Sequence, residues 1–501
     1  MRALRQFPAL VILVLLASGA MLVPALHALR LRDWPVARAF LDHALLFALL
    51  AALVGLATMN RRPPRVPARY LLLAILMAYL LLPALLAAPF AASVPGLGIG
   101  RAYFEMLSCL TTTGATLFDR PQLLSEPLHL WRALVGWLGG LMVLVSAFAI
   151  LAPLNLGGFE IGQAGAAGRR GLRSGTVEEA TARILRAFRA IAPVYGGLTV
   201  ALALVLILAG DSPFVALCHA MATLSTSGIS PVGGLGGGQA GRIGEAAIAV
   251  FLLPAVSYQL LRLTPRRLWG LRLTDPQLQL MLISVLGVTV VLFLRSFAGA
   301  AEIDRQDNLG AALQAIWGSL FTVLSYLTTT GFESHDWRAM QLWSDLPDPA
   351  MILLAVAVMG GGIATTTGGV KLLRLYALYR HGLREMDKLI HPSSLGRRGQ
   401  GDQMISEGGP RIAFIFLMLF LAALAVAMLA LSATGLSFER SLGLAIAGLT
   451  TTGPAIGAFG DGLGYADLPA TARGILCAAM VVGRMDALVI VALFNPTWWR
   501  Q

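Results

Sequence analysis

Thr111-Thr112-Thr113-Gly114 recurs in the chain as Ser225-Thr226-Ser227-Gly228, Thr328-Thr329-Thr330-Gly331 and Thr450-Thr451-Thr452-Gly453. The four glycines lie 114, 103 and 122 residues apart, and each tetrapeptide closes a short apolar stretch, near 101-112, 213-225, 311-328 and 437-450. A helix that crosses the hydrocarbon needs about 20 apolar residues. These stretches therefore read as half-helices that enter a membrane and turn back. Such a break in regular backbone is tolerated at depth only where protein or a water-filled cavity surrounds it.

Outward from the tetrapeptides, the chain has the composition of a membrane protein. Of its 501 residues 57% are hydrophobic and 13% charged, with a mean hydropathy of +0.75, well beyond a soluble globular chain. Apolar runs of spanning length lie near 7-29, 40-59, 70-88, 133-154, 190-209, 243-262, 277-297, 349-375, 411-432 and 471-494. The expected fold is an all-α membrane protein with ten transmembrane helices. The last eight form four repeats of span, half-helix, hydroxyl-rich loop and span around a pseudo-fourfold pore. The repeats divide as 70-189, 190-274, 275-410 and 411-501, after two extra N-terminal helices in 1-69.

One hydroxyl-rich loop is what ordinary packing between membrane helices uses. Four in the same context predict something else. Closed around one axis, they bring together four half-helix C-termini, each carrying about half a negative charge, and backbone carbonyls able to replace a cation's hydration shell. Glycine gives the loop the freedom to point those carbonyls inward.

The net charge of +12 is a topology signal in such a chain, and argues against nucleic acid as the partner. With the N-terminus in the cytoplasm, 25 of the 38 basic residues fall in inner loops, so both termini are expected inside. Anionic lipid at the basic loops is a lesser reading. Arg2 and Arg5 before an apolar run resemble a signal peptide, but the run continues to Leu29, longer than a usual signal core. Cys109, Cys218 and Cys477 have no spacing of a disulfide framework or metal site. Neither His-Glu-x-x-His nor a Gly-x-Ser-x-Gly elbow occurs, which argues against an enzyme.

A fifth copy, Thr365-Thr366-Thr367-Gly368, lies within the expected span 349-375, just after Gly360-Gly361-Gly362. It lacks a half-helix before it, and three glycines interrupt a helix. The segment is expected to be a broken helix forming a gate below the loops, with a packing kink as the plainer alternative. Arg484, in Val482-Gly483-Arg484-Met485-Asp486, is a charge inside the last span and a functional candidate by that fact. Asp486 does not share its helix face at a spacing of two, so a pore-facing arginine opposing cations is the preferred reading. Glu333 is read either as an acid that concentrates cations at the outer mouth or as a merely solvated one. Glu105 is left open between a loop anchor and a wetted helix face, and His219 is read as a hydrogen-bonded structural residue.

Taken together these residues resemble the Trk/Ktr/HKT superfamily of potassium transporters, and its TrkH-like members in particular. The resemblance covers nearly the whole chain and adds Trp137-Leu138-Gly139-Gly140, Cys218-His219-Ala220, Gly368-Gly369-Val370-Lys371 and Phe494-Asn495-Pro496-Thr497. It implies channel-like potassium uptake across a bacterial cytoplasmic (inner) membrane, with K+ as transported ion and no covalent cofactor. It also implies a homodimer among membrane lipids, gated by a cytosolic nucleotide-binding regulatory subunit of the TrkA type. By motif, the potassium-binding residues are Thr112, Thr113, Gly114, Thr226, Ser227, Gly228, Thr329, Thr330, Gly331, Thr451, Thr452 and Gly453. The gate is Gly360, Gly361, Gly362, Thr365, Thr366, Thr367, Gly368 and Gly369, with Arg484 as the pore arginine.

Two positions depart from the family pattern: Ser227 stands where glycine is expected, and Glu333 where a small or hydroxyl residue is more usual. Gly114 argues for potassium, since related plant proteins with a serine there prefer sodium. The competing reading is a sodium- or proton-coupled symporter working by alternating access, with Gly360 to Gly369 as an unwound substrate site. Four parallel units, rather than two inverted halves, favour the channel.

Overall fold

The computed structural model describes residues 9–58, 65–66, 68–154, 156–161, 175–257, 275–302, 309–347, 349–391, 408–459, 464–486 and 489–490. Parts of the basic loops (Arg61-Arg62, Arg169 to Arg173, Arg262 to Arg272, Arg397-Arg398) and the Phe494 to Thr497 ending lie outside these residues. The described chain consists of helices and the loops between them, with one two-residue antiparallel pairing among the described residues, Arg65–Val66 with Gly175–Thr176.

Among the described residues, eight helices are long and apolar enough to cross a membrane. Seven coincide with expected spans. The eighth, Leu309–Leu327, is the expected third half-helix, and at 19 residues it is longer than the 12- or 13-residue helices at the other three positions. Its extra N-terminal turns carry exposed Leu309, Leu313 and Ile316, so length alone does not separate it from a span. The expected span 243-262 begins as a 12-residue helix, Gly241–Leu252, followed by a 3-10 turn, Leu253–Ala255. The expected span 349-375 is broken, with helices Ala350–Met359 and Leu372–Ile390 on either side of a non-helical loop. The helix Ala470–Met485, which opens the expected span 471-494, ends at Asp486, which has φ +72°; residues 489–490 are helical again.

The first two helices, Ala9–Arg30 and Trp34–Thr58, form a hairpin. Asp33 accepts a hydrogen bond from the Val36 N–H at 3.4 Å, which caps the second helix. Small residues at the contact (Ala17, Ala25, Ala28, Ala37, Ala44) let the two backbones approach, as membrane helices do when no hydrophobic effect drives them together. Phe40 meets Trp131 edge-on at 5.4 Å, seating the hairpin on the helix Glu126–Ser146. Leu45, Leu49, Leu53 and Leu56 remain exposed, a row suited to lipid.

Glu126–Ser146 is the helix around which the first two loops are placed. A Cβ on Gly139 would overlap the Leu110 carbonyl, and one on Gly140 would meet Ser225 and the Tyr195 hydroxyl. The two glycines of the Trp137-Leu138-Gly139-Gly140 stretch thus admit the ends of two short helices against one helix face. The helix continues into a π-helical turn, Ala147–Leu151, an irregularity common beside functional sites.

Candidate functional site

The four tetrapeptides fold alike. Each begins at the C-terminus of a short helix, and its second residue, Thr112, Thr226, Thr329 or Thr451, has φ of +53 to +55°. The third residue's N–H returns to a helix carbonyl five residues back (Thr113 to Ser108, Ser227 to Ala222, Thr330 to Ser325, Thr452 to Ala447) at 2.8 to 2.9 Å. The second residue's N–H binds three back. This is the Schellman helix end, whose left-handed position is ordinarily glycine. A β-branched residue there is a true outlier, costing about 1–2 kcal/mol. It recurs at all four loops, which marks it as a requirement of the site.

What the strained threonine supplies is a hydroxyl in a fixed direction. The first hydroxyl of each loop is already committed. It donates to the carbonyl four residues back at 2.8 to 3.0 Å and lies 2.8 to 3.1 Å from the third hydroxyl. The second hydroxyls instead face the expected gate. Thr226 Oγ1 donates to Thr366 Oγ1 at 3.1 Å, and Thr329 Oγ1 accepts from the Gly368 N–H at 2.9 Å. Thr112 and Thr451 Oγ1 both accept from Arg484 Nη2, the latter at 3.1 Å.

The loops also close on one another in chain order. A Cβ on Gly114 would overlap the Ser227 carbonyl, one on Gly228 the Thr330 carbonyl, and one on Gly331 would touch Thr452 Cγ2 at 3.2 Å. The Gly453 N–H donates to the Thr113 carbonyl at 2.6 Å, completing the ring. The fourth loop departs from the others in two ways. Gly453 lacks the positive φ of Gly114, Gly228 and Gly331, and its carbonyl accepts from the Tyr465 hydroxyl at 2.8 Å. Pro454, which follows it, faces the positions of the other three glycines. Neither Tyr465 nor Pro454 was singled out in the sequence; the signal was a proline where the other loops carry Ala115, Ile229 and Phe332.

Gly360 to Gly369 forms a loop with a tied neck. Val370, Lys371 and Leu372 N–H groups donate to the Val358, Met359 and Gly361 carbonyls at 2.9 to 3.0 Å. Its shoulder is fixed where the Ile363 N–H donates to Gln277 Oε1 at 2.9 Å. Arg484 joins loop and ring, with Nε donating to the Thr111 carbonyl at 2.8 Å and Nη1 to the Thr366 carbonyl. Beneath lies a cavity of about 60 Å³ lined by Thr365, Thr367, Lys371, Arg484 and Asp486 among others. Lys371 Nζ donates to the Thr367 carbonyl.

Charged residues near the loops act as anchors. Glu105 is fully buried, lies 2.7 Å from Arg132 Nε, and accepts from Thr116 Oγ1 and the Leu117 N–H at 2.9 Å, which holds the chain just past Gly114. Glu245 does this for the third loop, accepting from Ser334 Oγ at 2.7 Å and from the His335 N–H. His219 Nε2 lies 2.9 Å from Ser230 Oγ and its Nδ1 3.6 Å from Asp211. Burial raises the Asp211 pKa, but the neighbouring His219 imidazole and hydrogen bonds from the Gln239 and Ala240 N–H groups outweigh it and hold the carboxyl below its ordinary value. Glu333, half-buried beyond Gly331, lies 3.5 Å from the Tyr326 hydroxyl. Among the described residues no group of three or more His, Cys, Asp or Glu is placed to hold a metal ion. The oxygens that converge are hydroxyls and carbonyls.

The family model described as TrkH, cation transport protein, matches residues 38–233 and 259–498. The chain belongs to the TrkH family. TrkH-family relatives include the Trk system potassium uptake protein TrkH of Escherichia coli, 31% identical over 98% of both chains. The Trk system potassium uptake protein TrkI of Halomonas elongata is 30% identical over 82% of this chain and 80% of its own. The crystal structure of the potassium transporter TrkH from Vibrio parahaemolyticus superposes with a TM-score of 0.80 at 25% identity, over 100% of this chain and 99% of that one. All four loops and the broken helix of this TrkH-family chain fall within the matched residues.

Proposed function

We propose that this chain takes up potassium across a bacterial cytoplasmic membrane through the ring of four loops. Carbonyls and hydroxyls of Thr112, Thr113 and Gly114, and of their counterparts at 226-228, 329-331 and 451-453, replace the ion's hydration shell. The loop Gly360 to Gly369 and Arg484 close the path. The observation that carries this reading is the position of Arg484. Four helix C-termini converge on the site, each favouring positive charge, and a guanidinium donates there to Thr111, Thr112 and Thr451. A tethered cation fills the place a free cation would take, while Thr366 and Gly368 engage the two remaining second-position hydroxyls.

The repeat divisions 70-189, 190-274, 275-410 and 411-501 follow from the same ring, with 1-69 outside it. Both termini are cytoplasmic in this reading, Glu333 lies at the outer mouth, and the protein works as a homodimer with a cytosolic nucleotide-binding subunit of the TrkA type. Names of the relatives, potassium uptake proteins of Trk systems, support the substrate and the need for a partner. Loops that close in chain order as four parallel copies support a pore over an alternating-access symporter.

The test is flux into liposomes carrying the purified protein, with potassium, rubidium, sodium and lithium under matched gradients. Uptake of potassium and rubidium well above sodium and lithium is expected. Equal or larger sodium flux overturns potassium selectivity, and a potassium flux that requires a second ion gradient overturns the pore.

A further inference from the structure

Arg484 was expected either to face the pore or to pair with Asp486. Asp486 turns instead to a different arginine. Arg374 lies in the first turn of Leu372–Ile390, directly after the gate loop, and is wholly buried. Its Nη2 is 2.6 Å from Asp486 Oδ2 and 2.6 Å from Glu160 Oε1, its Nε is 3.0 Å from Glu160 Oε1, and its guanidinium lies over the Phe416 ring at 3.6 Å.

The position is electrostatically unusual. A basic group in the first turn of a helix opposes the helix dipole, and a buried charge needs partners. The two carboxylates supply those partners. They come from two places that bear on the gate. Asp486 lies two residues past Arg484, where the chain leaves its helix with positive φ. Glu160 belongs to residues 156–161, which pack against the gate loop. A Cβ on Gly158 would overlap Ile363, Phe159 packs with Ala147 and Ala364, and Ile161 packs with Ile363 and Leu373. Glu160 also accepts from the Gly158 N–H at 2.7 Å, stiffening that turn.

We propose that Arg374, Glu160 and Asp486 form a clamp that positions the gate loop and Arg484 against the ring, so that releasing either carboxylate opens the path. The three are positioning residues, acting on the path through the gate loop and Arg484. The proposal rests on the reading of the gate loop and Arg484 as the closure. It adds that the closed state is held from below by this ion-paired cluster, through which movement of the segment carrying Glu160 reaches the gate.

The experiment measures basal rubidium flux of the full-length protein in liposomes, with gel-filtration profile and thermal unfolding as folding controls. Asp486→Asn and Glu160→Gln are each expected to raise flux at least threefold, and Glu160→Asp, which keeps the charge, to stay near wild type. In the Arg484→Ala background, already open, Asp486→Asn should add less than it does alone, because it acts through Arg484. Should Asp486→Asn not fold, the Glu160→Gln and Glu160→Asp pair decides. Folded Glu160→Gln and Asp486→Asn at wild-type flux, beside an Arg484→Ala that conducts more, overturn the clamp alone. Full additivity of Asp486→Asn and Arg484→Ala also overturns it. An Arg484→Ala without effect, or no flux from any variant, overturns the gate reading and the clamp together.

Discussion

Arg484 Nε donates to the Thr111 carbonyl at 2.8 Å, across 373 residues of chain. Thr111 is where the first short helix ends, so the contact joins the helix Ala470–Met485 to the negative end of the first loop-bearing helix. Arg484→Ala removes this contact and those to Thr112, Thr366 and Thr451. Basal rubidium flux in liposomes should rise about tenfold or more, equivalent to about 1.4 kcal/mol off the barrier. Shortening the loop between Gly361 and Thr367 should act in the same direction, and the two changes combined should exceed neither by much.

The left-handed threonines separate strain from function. Thr329→Gly relieves the backbone while deleting the hydroxyl that meets the Gly368 N–H. Its thermal stability should fall less than that of Thr329→Val, because relief of the backbone strain offsets part of the lost contact, and its flux and potassium-to-sodium ratio should change. Thr329→Val keeps the strain and leaves that buried N–H unpaired, a loss of about 1–3 kcal/mol that a shift in unfolding temperature would report.

Gly114 has φ +75° and no room for a Cβ beside the Ser227 carbonyl. Gly114→Ala should displace that carbonyl and lower the potassium-to-sodium flux ratio. Gly457→Ala is the control, since Gly457 is exposed with open space around it and its substitution should leave the ratio unchanged.

Glu105→Gln leaves Arg132 buried without its counter-charge. A loss of about 3–5 kcal/mol is expected for breaking one side of such a pair, measured by thermal unfolding in detergent. Glu105→Gln with Arg132→Met should recover part of it. Recovery equal to zero would assign the loss to the Thr116 and Leu117 contacts.

Asp211 supplies the acid sensitivity. Its pKa lies below the ordinary 3.8, so its contribution to stability is complete above that value and is lost as pH falls through the lowered one. Wild type should therefore lose unfolding temperature below about pH 4 more steeply than Asp211→Asn, which should be less stable at pH 7 and flatter in acid.

Much of this architecture is local and so is visible in the chain. Tetrapeptide recurrence, the short apolar stretch before each copy and the Gly-rich interruption of 349-375 are all contiguous patterns, and each appears in the structure as a helix end, a loop or a break. Length was a poorer guide. Leu309–Leu327 has the residue count of a span, while the expected span beginning at 243 shows only a 12-residue helix among its described residues, because where a helix stops depends on what its end packs against. Glu105 could not be assigned from the sequence, since a buried anchor and a wetted face have the same spacing. Arg132, 27 residues later, decides it.

The sequence by itself determined a four-fold repeated membrane protein with hydroxyl-rich helix ends, because bilayer thickness and helix-end hydrogen bonding act over one segment at a time. Only the tertiary structure decided which groups meet at the axis. Asp486 lies two residues from Arg484 yet pairs with Arg374, 112 residues away, which also holds Glu160. Thr366 repeats the loop motif without joining the ring, and the Gly453 carbonyl goes to Tyr465. Charges and carbonyls select partners by distance in space, and in a bundle of long helices that distance is set by packing between segments, which no run of neighbouring residues records.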